Sequence, residues 1–342
     1  MYSFKNDYSE GAHPNILNKL IETNLVQQAG YGEDDYSTEA KNILQQKMNN
    51  PNAKIFFVSG GTQTNFLVIA ALLRPHEAVI SAGTGHIFTN EAGAIESSGH
   101  KIISIPTKDG KLKTADITNV LKEYTSPTMV KPKLVYISNS TELGTIYTKN
   151  ELSALFECCK SNNLYLFMDG ARLGNALMAH DNDLTLSDIA SLTDVFYIGG
   201  TKNGALLGEA IVFNTSELAT DFDYIVKQKG ALLSKRRLLG IQFLELFKDD
   251  LYFSLAKRAN DLSINIIDAI KEQGYSFLTE TSTNQVFPIL PNKLIEKLMQ
   301  QYSFYVWEEI DKDYSAVRLI TSWATDENKV DEFVHDLKSL SS

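Results

Sequence analysis

The chain has 342 residues, 43% of them hydrophobic, and 42 acidic against 32 basic side chains give a formal net charge of −10. That length predicts two domains, or a large one with a smaller lobe, and the acidic balance argues against nucleic acid or an anionic membrane as partner. The longest apolar run, Phe66–Leu73, is far too short for a membrane span, and the two cysteines, Cys158 and Cys159, are adjacent and poorly placed to pair.

A reducing compartment is therefore expected, and the opening MYSFKNDYSE has no apolar core of a signal peptide. The expectation is a soluble, cytoplasmic protein without a metal site. Met1–His13 is polar and irregular. Pro14–Thr23 carries Ile16, Leu17, Leu20 and Ile21 at helical spacing, with proline suited to a first turn. Gly30–Asp35 is turn-rich, and Glu39–Met48 reads as a helix. Lys54–Val58 is the first strand. It opens into Ser59-Gly60-Gly61-Thr62 and then an apolar helix ending near Leu73. Strand, glycine turn and helix start form either a phosphate cradle or an ordinary capped helix.

Ala78–Ser81 is the next strand and leads to Gly85-His86, after which helical spacing runs over Phe88–Ser97. Lys101–Ile105 is a strand, and Thr114–Tyr124 a helix capped by Thr114. Lys133–Ile137 is a strand running into Ser138–Gly144, and Lys149–Ser161 is an amphipathic helix. The strand Leu164–Gly170 ends in Asp169 and is followed by Arg172. After a short helix at Ser187–Leu192, the strand Val195–Ile198 breaks at Gly199-Gly200 and gives way to Thr201 and Lys202. Glu209–Phe213 is the seventh strand. Near-continuous apolar strands predict a sheet covered on both faces. Its sites belong at the strands' carboxyl ends, where Gly61, His86, Glu142, Asp169 and Lys202 all fall.

Beyond Asn214 the pattern changes. Phe222–Leu246 is mostly helical and Leu251–Glu272 is a second long helix. Short strands are expected at Tyr275–Leu278, Val286–Ile289, Phe304–Val306 and Ala316–Ile320, with helices at Asn292–Gln301 and Glu327–Leu340. The boundary falls near residue 248. Residues 1–248 form a large α/β domain with an N-terminal arm, and residues 249–342 a small α+β domain.

Lys202 is the residue out of place. Desolvation at the mouth of a core strand lowers a lysine's pKa and makes its amine nucleophilic. Lysine forms Schiff bases with carbonyls, pyridoxal 5′-phosphate (PLP) among them. PLP also needs an acid beside its pyridinium nitrogen. Asp169, 33 positions earlier at another strand end, is suited to be that acid. The bland alternative for Lys202 is a surface lysine after a turn.

The chain resembles the low-specificity L-threonine aldolases, in the β-eliminating-lyase group of fold-type-I PLP enzymes. The resemblance rests on Asn6-Asp7, Tyr31-Gly32-Glu33-Asp34, Ser59–Asn65, Gly85-His86-Ile87-Phe88, Asp169-Gly170-Ala171-Arg172, Thr201-Lys202 and Val317-Arg318-Leu319. It implies a seven-stranded, mostly parallel sheet of the PLP-dependent transferase type, and retro-aldol cleavage of L-threonine or L-allo-threonine to glycine and an aldehyde, a glycine-forming step of amino-acid metabolism. It implies Lys202, beside Thr201, as the Schiff-base lysine, Asp169 at the pyridine nitrogen with Arg172 nearby, and His86 stacked on the ring. Gly61 and Thr62 hold the phosphate, helped by Arg237 across a dimer interface. Arg172 and Arg318 grip the substrate carboxylate, and Tyr31 reaches into the neighbouring subunit's site. Dimers or tetramers are implied. Two departures stand out. Asn6 replaces the family's usual serine as a substrate-site donor, and Glu142, in the loop Asn139–Gly144, stands where the family offers a histidine, as an acceptor or base.

Read singly, each has a plainer role: His86 in the core, Arg172 paired with Asp169 or a neighbouring strand end, Arg237 on a solvated basic face, Arg318 on the surface, Tyr31 in packing or a turn, Asp7 capping or bridging the first helix. The same cofactor also serves β-elimination and transamination. An idle relative with a binding role is the alternative from another class.

Overall fold

The computed structural model describes residues 1–341. Among these residues, thirteen strands fall into three sheets. In chain order they are β1 (Tyr2–Ser3), β2 (Lys54–Val58), β3 (Glu77–Ala82), β4 (Lys101–Ile105), β5 (Lys131–Ser138), β6 (Tyr165–Asp169), β7 (Val195–Gly199), β8 (Glu209–Phe213), β9 (Gln285–Val286), β10 (Ile289–Pro291), β11 (Tyr302–Ser303), β12 (Tyr305–Glu309) and β13 (Tyr314–Ile320).

The central sheet has the order β2-β8-β7-β6-β5-β3-β4. Every neighbouring pair from β7 to β4 is parallel, while β8 runs antiparallel to both β2 and β7. This is the expected mostly parallel, seven-stranded sheet. Strands β3, β7 and β8 are buried at every position, because helices cover both faces. Two apolar cores lie on the two sides, one including Phe57, Val135, Met168 and Phe243, the other Val58, Leu67, Phe167 and Tyr197.

A third core belongs to the C-terminal lobe and gathers Leu262, Ile266, Val286, Val317 and Phe333. Its main sheet has the order β10-β13-β12, with β9 also on β13. The helix Leu251–Glu272 starts in the first core, through Tyr252 and Leu255, and ends in the third. The N-terminus crosses over as well. β1 pairs in parallel with β11, and Phe4 is wholly buried in the C-terminal core.

Several elements differ from the sequence reading. The predicted helix Phe88–Ser97 is two single turns, His86–Thr89 and Ala94–Ser97. Ala92 and Gly93 between them have φ of 50° and 74°, which breaks a helix. Thr114 is the first helical residue, and Lys113 holds the cap position. The stretch Phe222–Leu246 divides into Phe222–Gln228 and Arg237–Phe247. Tyr275–Leu278 supplies only a single bridge, Phe277 to Pro288. The short helix Leu173–Leu177, after Arg172, was not foreseen. Among the described residues no helix is long and apolar enough to cross a membrane.

Candidate active site

The parallel strands deliver their carboxyl ends to one edge of the sheet, and β8, running the other way, delivers its first residue there. A cavity of about 640 Å³ opens at that edge and is lined by Gly61, Thr62, His86, Glu142, Asp169, Arg172, Thr201, Lys202, Glu209 and Arg318. Tyr305, Val306 and Trp307 of the small lobe close it from the far side. Its size is in the range that holds a cofactor with a small substrate.

Asp169 is the most heavily bonded group in it. Its Oδ2 accepts from Tyr136 Oη at 2.6 Å and Asn65 Nδ2 at 3.2 Å. Its Oδ1 accepts from Tyr197 Oη at 2.5 Å and the Ala171 amide at 2.9 Å. Burial alone would raise this carboxyl's pKa. The two phenols and the nearby His86 outweigh burial and hold it below the ordinary value, so it is an anion. Close backbone contact places it. A Cβ on Gly170 would lie 1.8 Å from the Tyr197 carbonyl oxygen, so only glycine lets the end of β6 lie this close to β7.

His86 opens a single helical turn after β3. Its Nδ1 lies 2.8 Å from Glu91 Oε1. Asn65 Nδ2 donates to the same oxygen at 2.7 Å and also to Asp169, so His86, Glu91, Asn65 and Asp169 form one network. Burial disfavours the imidazolium, but the Glu91 bond and the Asp169 charge prevail and the His86 pKa is raised. Glu142 accepts from the His86 amide at 2.9 Å and from Ser138 Oγ at 2.7 Å. Burial, against the Ser138 bond, pushes its pKa up.

Lys202 is crowded by protein yet reaches the cavity. Desolvation and the Arg172 charge lower its pKa against the opposing pull of Asp7 and Asp169. That is the condition for a neutral, nucleophilic amine. Beneath it, Thr201 Oγ1 donates to Glu209 Oε1 at 2.8 Å, and the Gly200 amide donates to Glu209 Oε2 at 2.9 Å. Burial raises the Glu209 pKa.

Arg172 makes a forked pair with Asp7, Nε to Oδ2 at 2.7 Å and Nη2 to Oδ1 at 3.0 Å. Asn284 Nδ2 donates to the same carboxylate at 2.9 Å. Asp7 is fully buried, yet Arg172 and Lys202 overcome the burial and keep its pKa low. Arg172 thus pairs with Asp7 rather than Asp169. Asn6, expected in the site, turns away: its Oδ1 accepts from the Tyr8 amide and Ser9 Oγ. The neighbour Asp7 is buried behind the cavity wall and pairs with Arg172 rather than with the first helix, and Tyr8 is the residue of this segment that lines the cavity. His13 caps that helix.

Besides Asn6, two more expected residues lie outside the cavity of this chain. Arg237 donates to the carbonyls of Val26, at 2.5 Å, and Thr23, at 2.9 Å, and so ties down the end of the helix Pro14–Glu22. Tyr31 is half exposed with φ of 60°, and Lys227 Nζ lies 5.2 Å from its ring centre.

The residues fit PLP. An anionic Asp169 suits a protonated pyridine nitrogen. Gly60 and Gly61 leave the helix Gly61–Leu72 with open amides at its start, and a Cβ on Gly61 would crowd Tyr197 Oη at 3.1 Å. Lys202 lies between acid and cradle on the same edge. The fold and this set of groups define a PLP-dependent enzyme of fold type I.

Comparison with known proteins narrows the class. The sequence model of the beta-eliminating lyases matches residues 11–292. A low-specificity L-threonine aldolase of Pseudomonas aeruginosa is 33% identical, over 98% of this chain and 96% of its own. A threonine aldolase of Leishmania major superposes with a TM-score of 0.98 at 46% identity, over 100% of both chains. A single mutant of Thermus thermophilus aspartate aminotransferase, 14% identical, has a TM-score of 0.71 over 99% of this chain and 91% of its own, and shares the fold. The chain belongs to the beta-eliminating lyase family, among the low-specificity L-threonine aldolases.

Proposed function

We propose that this protein cleaves L-threonine and related β-hydroxy-α-amino acids to glycine and an aldehyde, and so forms glycine. The observation that carries the reading is the meeting of Lys202, Asp169 and two arginines in one cavity of a chain one-third identical to a threonine aldolase. Lys202 would hold PLP as a Schiff base, Asp169 would face its pyridine nitrogen, and Gly61, Thr62 and Thr201 would line its phosphate side. When bound, PLP supplies an electron sink for bond breaking at the amino acid's Cα. The protein's part is to choose the bond. Arg318 grips the carboxylate with its open fork, Arg172 adds charge and the edge that its Asp7 pair leaves free, and together they fix the Cα substituents so that the Cα–Cβ bond is the one aligned for cleavage. His86 or Glu142 takes the proton from the β-hydroxyl. With Nδ1 of His86 engaged by Glu91, Nε2 is the ring nitrogen left for the cavity. Glu142 is a carboxylate pinned at the cavity wall with a raised pKa, which suits a base.

The assembly we propose is a homodimer or a pair of them. Leu17, Ile21, Leu25 and Val26 are exposed around the end of the first helix, and Leu206 and Leu238 are exposed near it. Arg237 joins these segments. An apolar patch of this kind suits a subunit interface, across which Tyr31 and Arg237 could serve the partner's cavity while Asn6 stays at the rim of its own. Residues 1–248 and 249–342 would act as the two lobes, with the first four residues strapped to the second. Both cysteines are free, in keeping with a cytoplasmic protein.

Incubating the purified protein with L-threonine and L-allo-threonine tests the reaction. Glycine with acetaldehyde is the expected product pair. Release of 2-oxobutanoate, or turnover only with a keto-acid acceptor, would replace it by elimination or transamination.

A further inference from the structure

The small lobe's edge strand β12 is exposed at all five positions. Three of them are large and apolar: Tyr305, Val306 and Trp307 are 46%, 46% and 37% exposed. A bare apolar edge strand is a liability that proteins usually blunt. Here the three side chains line the cavity instead, and the register shows what they meet. Tyr305 lies directly opposite Arg318 on β13. The pairing then slips between Val306 and Glu308, which leaves Trp307 as the unpaired bulge residue. A bulge re-aims a side chain. The Arg318 guanidinium carbon ends up 5.4 Å from the Tyr305 ring centre and 4.9 Å from that of Trp307. Behind Trp307, the wholly buried Phe287 packs edge-on, with centres 5.3 Å apart at 72°.

Arg318 has little else. Its Nη2 reaches the Lys5 carbonyl at 3.5 Å, its Nε is buried without a partner, and no ion pair among the described residues includes it. An arginine that must accept an incoming carboxylate is poorly served by a resident one, which competes for the same fork. Ring faces stabilise the cation and orient it while occupying none of its five N–H donors.

We propose that Tyr305 and Trp307 are positioning residues: they clamp the Arg318 guanidinium between aromatic faces and keep its fork open for the carboxylate of the amino-acid substrate. This rests on Arg318 being the carboxylate anchor, so the test separates the two.

Steady-state kinetics with L-threonine on the PLP-loaded enzyme provide it. Trp307→Leu, which stays apolar and loses the ring, should raise KM roughly threefold to tenfold. Its kcat and its cofactor absorbance should stay within about twofold of wild type. Trp307→Phe restores a ring face and should bring KM back to within about twofold of wild type. In an Arg318→Ala background, Trp307→Leu should add almost nothing, since the clamp has lost its object. If Arg318→Ala raises KM and Trp307→Leu does not, the clamp is wrong while the anchor stands. Additive effects in the double variant, or a Trp307→Leu protein that loses cofactor and kcat together, also overturn it. Unchanged KM in Arg318→Ala removes the anchor itself, and the clamp with it.

Discussion

The large domain and the small lobe meet the same cavity with opposite kinds of order. On the large-domain side, Asp169 accepts four hydrogen bonds and is linked through Asn65 to Glu91 and His86. Asp169 itself is fully engaged through both oxygens, although further out in the network Asn65 Oδ1 and Glu91 Oε2 are buried without a partner. On the small-lobe side, Arg318 has one long hydrogen bond and two ring faces. Arg172 sits between these extremes, on the large domain but paired with a carboxylate from the N-terminal segment. The lesson is about purpose. A group that must hold a cofactor's electronics constant is saturated with partners, because an unpaired buried polar atom is costly. A group that must exchange partners each turnover is held by contacts that leave its donors open.

The largest expected effect tests the saturated side. Lys202→Ala should reduce threonine cleavage by on the order of 10³-fold or more. Borohydride should no longer fix cofactor to the peptide that carries residue 202, which peptide mapping would reveal. A variant retaining most of its activity would remove Lys202 from the chemistry.

Asp169→Asn follows. The amide keeps an oxygen for one phenol but turns an NH₂ toward donors, so Tyr136 or Tyr197 loses its acceptor. A loss of about 1–3 kcal/mol of stability is expected, read as a lower denaturant midpoint. Activity should fall by on the order of a hundredfold, since an amide cannot hold the pyridine nitrogen protonated. An intact midpoint would mean that the network is less cooperative than its geometry implies.

Arg318→Ala belongs to the other side and should be gentler. A charge-assisted hydrogen bond contributes roughly 1.5–3 kcal/mol, so KM for threonine should rise about tenfold or more. Stability should hardly change, because few internal partners are lost. If the midpoint drops as far as in Asp169→Asn, the contrast between the two sides fails.

The smallest effects are pH dependences. His86 binds its proton more tightly folded than unfolded, so the stability from its Glu91 pair is complete below about pH 6.5 and lost as pH rises through the folded value. Glu91→Gln should lower the His86 pKa and move the acidic limb of kcat/KM to lower pH. A profile that stays put would leave Glu91 out of the histidine's titration. Asp7 and Asp169 work in the opposite direction. Their pKa values are lowered by folding, so their contribution is present above about pH 4 and is lost as pH falls through the folded values. Asp7→Asn should flatten the acid limb of the stability curve, measured by thermal melts from neutral pH downward.

The sequence alone determined the sheet and its chemistry-bearing edge. Apolar runs ending in glycine or a polar residue mark strand ends, and strand ends of a parallel sheet share an edge. Lys54–Val58, Lys101–Ile105 and Glu209–Phe213 therefore have the expected limits, and Gly61, His86, Glu142, Asp169 and Lys202 converge as strand-end residues should. What only the tertiary structure decided is what those residues touch. Asp7 reaches Arg172 from 165 positions away, while Asn284 holds it from the small lobe. Asn6 and Asp7 are neighbours in the chain, and the turn between them decides which one faces inward. Glu91 enters because positive φ at Ala92 and Gly93 breaks a helix that periodicity alone would continue. Glu209 enters because β8 is antiparallel, which brings a strand's start to an edge made of strand ends. An acid opening the run EAIVF was its only mark in the sequence. Trp307 faces Arg318 through a one-residue slip in pairing. Local pattern encodes which segments form, because propensity and burial periodicity are local. Partners across the site depend on register, strand direction and chain crossing, and these are fixed only when the whole core closes.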